Sequence, residues 1–303
     1  ISIIYSISEK LLANKNYLEF SLGVIITSLI EWAKGNVELA FNTINQAFEE
    51  LKNKENTKVA IIRLNWTLGV FYFDLDEIED SLFHYQLSKN SLDNESDFSV
   101  VAYINVGLAS VYKKKQELEK AAILFEETLL YSQINNIWMV EARAFHELGM
   151  LEQINKNYNK AYSLFSKSYE IRTENNAMPA IVSSLISMAQ IDIVKKNFSE
   201  AEIKLLQALE ISEKKNLKPK ISALMLHLSG IREQQSKYKE SLSDLKKHYA
   251  LEEELKNIVR NNKNAYLQLN YKVQKAAREL EREKEIGKLQ STFVSTASHQ
   301  FRT

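Results

Sequence analysis

A small residue followed four positions later by a large apolar one recurs six times along this chain, at Ala40/Ile44, Ser81/Tyr85, Ala121/Phe125, Ala161/Phe165, Ala201/Leu205 and Ser241/Leu245. The small residues are 41, 40, 40, 40 and 40 positions apart. A spacing of four puts both members of a pair on one helix face, where the small one lets two helices approach and the large one fills the space against the next unit. A period of this length means that each unit buries its apolar side only by stacking on its neighbours. The chain has 7 glycines and 2 prolines in 303 residues, too few for sheets with tight turns, so the fold class predicted is all-α.

Other positions keep the same step. Asn136, Asn176 and Asn216 fall between units, Asn157 and Asn197 fall within them, and Pro179 and Pro219 each open a helical run. Asparagine tolerates the left-handed conformation that ends a helix, and proline suits the first turn of one. Each unit therefore reads as two antiparallel helices.

Composition narrows the function. With 39 basic and 39 acidic residues there is no bulk electrostatic drive toward nucleic acid or an anionic membrane. No cysteine occurs, which excludes disulfides, thiolate metal sites and a cysteine nucleophile. The most apolar stretch, Phe20 to Ile30, is shorter than the roughly 18 residues of a membrane span, and no basic segment precedes an apolar one as in a signal peptide. A cytoplasmic location is expected. His84, His146, His227 and His248 show no metal-ligand spacing, so they read as structural or groove-lining, and no metal site is expected.

The pairs resemble the tetratricopeptide repeat, whose second helix carries Ala-x3-Phe and whose first carries Leu-Gly. Leu68-Gly69 and Leu148-Gly149 lie twelve residues before Ser81 and Ala161, whereas Gly107 lies fourteen before Ala121, leaving the register of that unit open by two. The period of 40 exceeds the family's usual length of about 34, which implies longer helices. Residues 1–12 read as the second helix of an earlier unit, so more chain is expected upstream. The expected fold is an α-solenoid of about six helix-turn-helix repeats over 1–248. The resemblance puts Leu22, Ile25, Arg63, Trp66, Phe73, Tyr103, Arg143, His146, Ile186 and Gln190 on the concave face. A peptide or protein ligand is expected there, gripped through Arg63, Trp66, Phe73, Tyr103, Arg143, His146 and Gln190. The competing reading makes Leu22, Ile25 and Ile186 ordinary inter-helix core.

The repeat fails after about Tyr249: Glu281 stands where the next small residue is due. Leu251, Leu255, Ile258, Ala265, Leu269, Val273, Ala276 and Leu280 follow three- and four-residue steps among charges of both signs, the pattern of a coiled-coil seam. A signalling coiled coil over 249–290 is expected, pairing with a second copy of the chain. Asn262 and Lys272 interrupt the seam, and the alternative is a single helix folded back on the repeats.

The segment Ser295–Thr303 resembles the phospho-accepting box of sensor histidine kinases. Ser298, His299, Phe301, Arg302 and Thr303 match a pattern of roughly Ser-His-Glu-Phe/Leu-Arg-Thr-Pro. By that resemblance 291–303 opens the dimerisation and phosphotransfer helix. His299 is the phospho-acceptor, with a neutral imidazole free to attack ATP near pH 7. Thr303 would orient water when a response-regulator phospho-aspartate is hydrolysed. Gln300 stands where the family has Glu or Asp; an amide is a poor base, and it would orient the imidazole by hydrogen bonding. The family's proline would follow Thr303, and its ATP-binding domain, with ATP and Mg2+, would lie beyond. No glycine-rich phosphate loop occurs within the 303 residues, so no cofactor is expected in this chain and the chain alone should be inactive. The whole reads as the sensor region of a cytoplasmic, homodimeric two-component kinase. The alternatives are a non-catalytic repeat scaffold or peptide receptor, and an acceptor-only phosphotransfer protein.

Overall fold

A computed structural model describes residues 10–93 and 98–300, with side chains described over 10–93, 99–275, 278, 279 and 282. Twelve helices follow one another among the described residues: α1 (Tyr17–Ala33), α2 (Val37–Leu51), α3 (Lys58–Asp74), α4 (Ile78–Asn90), α5 (Phe98–Lys114), α6 (Leu118–Ile134), α7 (Trp138–Ile154), α8 (Tyr158–Glu174), α9 (Met178–Val194), α10 (Phe198–Lys214), α11 (Lys218–Gln234) and α12 (Tyr238–Gln300). They pair as six units, each an odd-numbered helix packed on the even-numbered one after it.

The turns explain the regular spacing. Asn136, Asn176 and Asn216 adopt left-handed φ values of 54°, 52° and 51°. Within units the left-handed residue is Lys156 or Lys196, while Asn157 and Asn197 sit one place later as N-caps. Thus the intra-unit asparagines do not end helices as expected. The ends of α1, α3 and α5 to α11 are closed by paired backbone bonds, as at Ile137 N–H to Ser132 O (2.8 Å) and Asn157 N–H to Glu152 O (2.8 Å), the geometry that a left-handed residue permits. Pro179 and Pro219 occupy the first turns of α9 and α11.

The first five small/large pairs are buried, from Ala40 and Ile44 to Ala201 and Leu205. Opposite the large member lies a residue with almost no side chain. A Cβ added to Gly69 would sit 2.9 Å from the Tyr85 ring, and one added to Gly149 would sit 2.6 Å from Phe165. The equivalent positions hold Ser28, Ala109, Ala189 and Ser229, all buried. This settles the third unit: Ala109 is its small residue, and Gly107 instead makes room for the preceding unit's Tyr85, whose ring would lie 2.5 Å from an added Cβ.

First helices of neighbouring units touch, from α1 with α3 through to α9 with α11, whereas even-numbered helices of adjacent units do not. The first helices therefore lie on the inner side of the array's curve.

The last helix is the longest, 63 residues, or about 90 Å at about 1.5 Å per residue. It begins as the second helix of the sixth unit and continues without a break. Over Asn262–Lys272 it packs on the first two units, the arrangement weighed beside the coiled coil. Leu269 and Tyr266, one helical turn apart, are buried in an apolar cluster shared by the first two units, with Ala265 packed beside them. The Tyr266 ring lies 5.8 Å from Phe41 and 5.9 Å from Tyr72. Lys263 bonds the Leu75 carbonyl at 3.2 Å and pairs with Glu77. Lys272, which breaks a seam, pairs with Glu38 at 2.9 Å. Here the helix folds back on its own chain, because apolar steps of three and four suit any apolar surface and not only a partner helix.

Candidate functional site

The inner face changes character along the array. Arg63, Tyr103, Arg143, Ser183 and Ala223 occupy one register, 40 residues apart, on α3, α5, α7, α9 and α11. In the early units this register is filled by large side chains. Trp66 and Tyr103 bring their rings within 5.7 Å, the Tyr103 hydroxyl meets Met139 Sδ at 3.4 Å, and the Lys114 ammonium stands 5.0 Å from the Phe73 ring. Arg63 is half-buried beside this aromatic group. Arg143 is exposed and reaches Ser110 Oγ at 3.5 Å.

Where the register turns small, space opens. Ser183 and Ala223 line a cavity of about 500 Å3 spanning α7, α9 and α11, a volume within the range of small-ligand sites. Four residues expected on the concave face meet there: Arg143, His146, Ile186 and Gln190. The other expected contacts, Arg63, Trp66, Phe73 and Tyr103, are not in its lining and form the aromatic stretch further along. Leu22 is exposed on α1, while Ile25 is buried in the first cluster and Ile186 is buried at the cavity wall, so the core reading holds for these last two.

The cavity's polar groups are held in place. His146 Nε2 lies 3.1 Å from Ser187 Oγ, and the Gln190 amide donates to His227 Nε2 at 3.0 Å. Burial pushes His146 down to about 4 and lowers His227 as well, so both imidazoles are neutral near pH 7. Burial alone would raise Glu147, but the Lys113 charge and hydrogen bond outweigh it and hold this carboxyl below its ordinary value.

Two further lining residues were missed by the sequence reading. Arg172, on α8, is 7% exposed and donates to Ala180 O (3.0 Å) and Ser184 Oγ (2.8 Å). Burial lowers it to about 10, leaving it a cation at neutral pH. Lys220 opens α11, its ammonium pushed below its usual value by burial and then by the Arg172 charge. A signal for the first existed: Ser132, Arg172 and Ser212 share one register, and both serines are fully buried. An arginine there breaks the pattern.

Of the phospho-acceptor box, the backbone of His299 and Gln300 belongs to α12. Their side chains and Thr303 lie outside the described residues. Among the described residues no cluster of three or more His, Asp or Glu side chains is placed to hold a metal, and no helix is long and apolar enough to cross a membrane.

No family model and no curated protein sequence matches this chain. Solved structures do match. A Rap protein complexed with Competence and Sporulation Factor is 12% identical with a TM-score of 0.60, over 82% of this chain and 81% of that one. BtubC (BKLC) from P. vanneervenii is 13% identical with a TM-score of 0.58, over 73% and 91%. The Rap conjugation gene regulator of plasmid pLS20, in complex with the Phr* peptide, is 15% identical with a TM-score of 0.52, over 81% and 76%. At such identities the likeness is one of fold. That fold is a tetratricopeptide-like α-solenoid of helical repeats, all-α among the described residues.

Proposed function

We propose that this chain is a receptor for an extended peptide, held along the inner side of the array by the first helices of units two to six. The observation that carries this reading is the shared register. Large aromatic and guanidinium groups at Arg63, Tyr103 and Arg143 give way to Ser183 and Ala223, so a shelf for side chains runs into a cavity of about 500 Å3. Aromatic rings supply broad contact area, and a guanidinium supplies directed hydrogen bonds. Two proteins of similar fold have structures with the Phr* peptide and with Competence and Sporulation Factor, which supports it. Fluorescein-labelled random hexapeptides titrated against the full chain should include binders, and Trp66→Ala should weaken them about tenfold or more. Absence of any binder would contradict the proposal.

A second reading is favoured by α12, which runs unbroken from the sixth unit to Gln300 and carries the box resembling that of histidine kinases. In this reading the receptor is the sensor part of a cytoplasmic, homodimeric two-component kinase. His299 takes the phosphoryl group of ATP, supplied with Mg2+ by a kinase domain outside these residues, and passes it to the receiver aspartate of a response regulator. Gln300 orients the imidazole, and Thr303 orients water for the reverse hydrolysis. With a histidine-kinase ATP-binding domain and labelled ATP, acid-labile, base-stable label should appear. It should vanish in His299→Ala, and its persistence would refute the role.

A further inference from the structure

One side of α12 is longer than the surface that covers it. Leu255, Ile258, Asn262, Ala265, Leu269 and Val273 follow steps of three and four and so share one side of the helix. The first two units cover only the middle of this stripe. Leu269 is buried and Ala265 packs beside it, whereas Ile258 is 45% and Val273 55% exposed. The stripe therefore runs past its cover at both ends. A second helix of the same periodicity matches such a stripe along its whole length. A second copy of this chain supplies that helix.

The two occupants exclude each other over Asn262–Lys272. Tyr266 and Leu269 lie in the cluster with Phe41 and Tyr72, and a partner helix reaches them only after they leave it. Charge decides which occupant is favoured within one chain. From Lys256 to Arg278, α12 carries six basic residues and no acidic one. The first two units answer two of these cations: Lys263 pairs with Glu77 and donates to Leu75 O at the carbonyl end of α3 (3.2 Å), and Lys272 pairs with Glu38 at 2.9 Å. Both the carboxylates and a helix's carbonyl end favour a cation. A second copy aligned in register presents the same cations and no carboxylate over this stretch, so electrostatics favours the contact within the chain.

We propose that the first two units act as a clasp that withholds Asn262–Lys272 of α12 from a second copy of the chain, and that opening the clasp frees this stripe for pairing. The proposal rests on the homodimer of the second reading and adds what restrains it. Because the clasp joins the first two units to a helix that begins in the sixth, a change in the curvature of the array strains it. Pairing along α12 is thereby placed under the control of whatever the array binds.

The test breaks the clasp from the side that takes no part in pairing, with Glu38→Lys and Glu77→Lys together in the full chain. Sedimentation equilibrium gives the dimer dissociation constant. The chain has no cysteine, so Val273→Cys reports contact between copies by disulfide cross-linking. The double variant should dimerise about tenfold or more tightly, since apparent affinity rises with the fraction of chains that are open. Below the dissociation constant, its amide exchange over Asn262–Lys272 should quicken. A charge swap supplies a second readout that general damage to the fold does not produce: Glu77→Lys alone should tighten pairing, but added to Lys263→Glu it should weaken pairing again, because the ion pair re-forms with its charges exchanged. Quickened exchange with an unchanged dimer constant would overturn the clasp and leave the homodimer standing. Unchanged exchange would overturn the clasp as well, there being no contact to break. Absence of a dimer in every variant would overturn both.

Discussion

The two ends of the array settle their charges in opposite ways. Across the first two units the chain answers its own groups: Trp32 stacks on Phe71 at 4.3 Å, Phe41 meets that ring edge-on at 5.7 Å, and α12 adds Tyr266 to the cluster. The lysines that α12 brings there find Glu77 and Glu38. Across the fourth, fifth and sixth units, by contrast, Arg143, Arg172 and Lys220 share a cavity with the single carboxylate of Glu147, which pairs with Lys113 and also feels both arginines. The same repeat builds both regions. The difference teaches that helix packing and ion pairs account for the first region, while the second keeps more cations than carboxylates in one lining.

If the first region is structural, its core should matter most for stability. Phe71→Ala should cost about 3–5 kcal/mol in denaturant unfolding, whereas Arg143→Gln, at an exposed position, should change stability by less than about 0.5 kcal/mol. Similar losses from both would break the contrast. Next in size, Leu269→Ala should cost about 2 kcal/mol and release the α12 contact, seen as faster amide exchange over Asn262–Lys272 and in α2. Unchanged exchange would mean that the contact does not tie the two ends together.

Acid should strike both regions. Burial lowers His84, which stacks on Tyr72 near the first-unit cluster, and His146 in the cavity to about 4 each. The unfolded chain, with histidines near 6.5, then binds more protons between these values. Stability is therefore complete above about pH 6.5 and falls as pH drops toward 4, by up to about 3 kcal/mol per histidine. A thermal melt series should show this slope, and His84→Phe should flatten part of it. The smallest effect belongs to Lys272→Ala: its pair with Glu38 is largely exposed, so the loss should stay below about 1 kcal/mol and disappear in concentrated salt.

Much of this was legible in the sequence because the repeat is physical. The 40-residue step between small residues is the step between helix contacts, and the asparagines at 136, 176 and 216 mark left-handed turns that few residues adopt. Gly107 misled because a glycine records only that something comes close; its neighbour Tyr85 belongs to the previous unit. The apolar steps of α12 were readable, but not what covers them, since periodicity gives a face and never its partner. At the cavity, Arg143, His146 and Gln190 followed from their place on the first helices. Arg172 did not, because it approaches from a second helix, where the family pattern places no ligand contact.

The central claim is that the inner face of the first helices is where a peptide is held. Hydrogen exchange of the full chain, with and without a binding hexapeptide at saturation, tests it most directly. Added protection concentrated on the first helices α3, α5, α7, α9 and α11, with α4, α6 and α10 little changed, is the expected result. Protection confined to the even-numbered helices, or none at all despite measured binding, would contradict it.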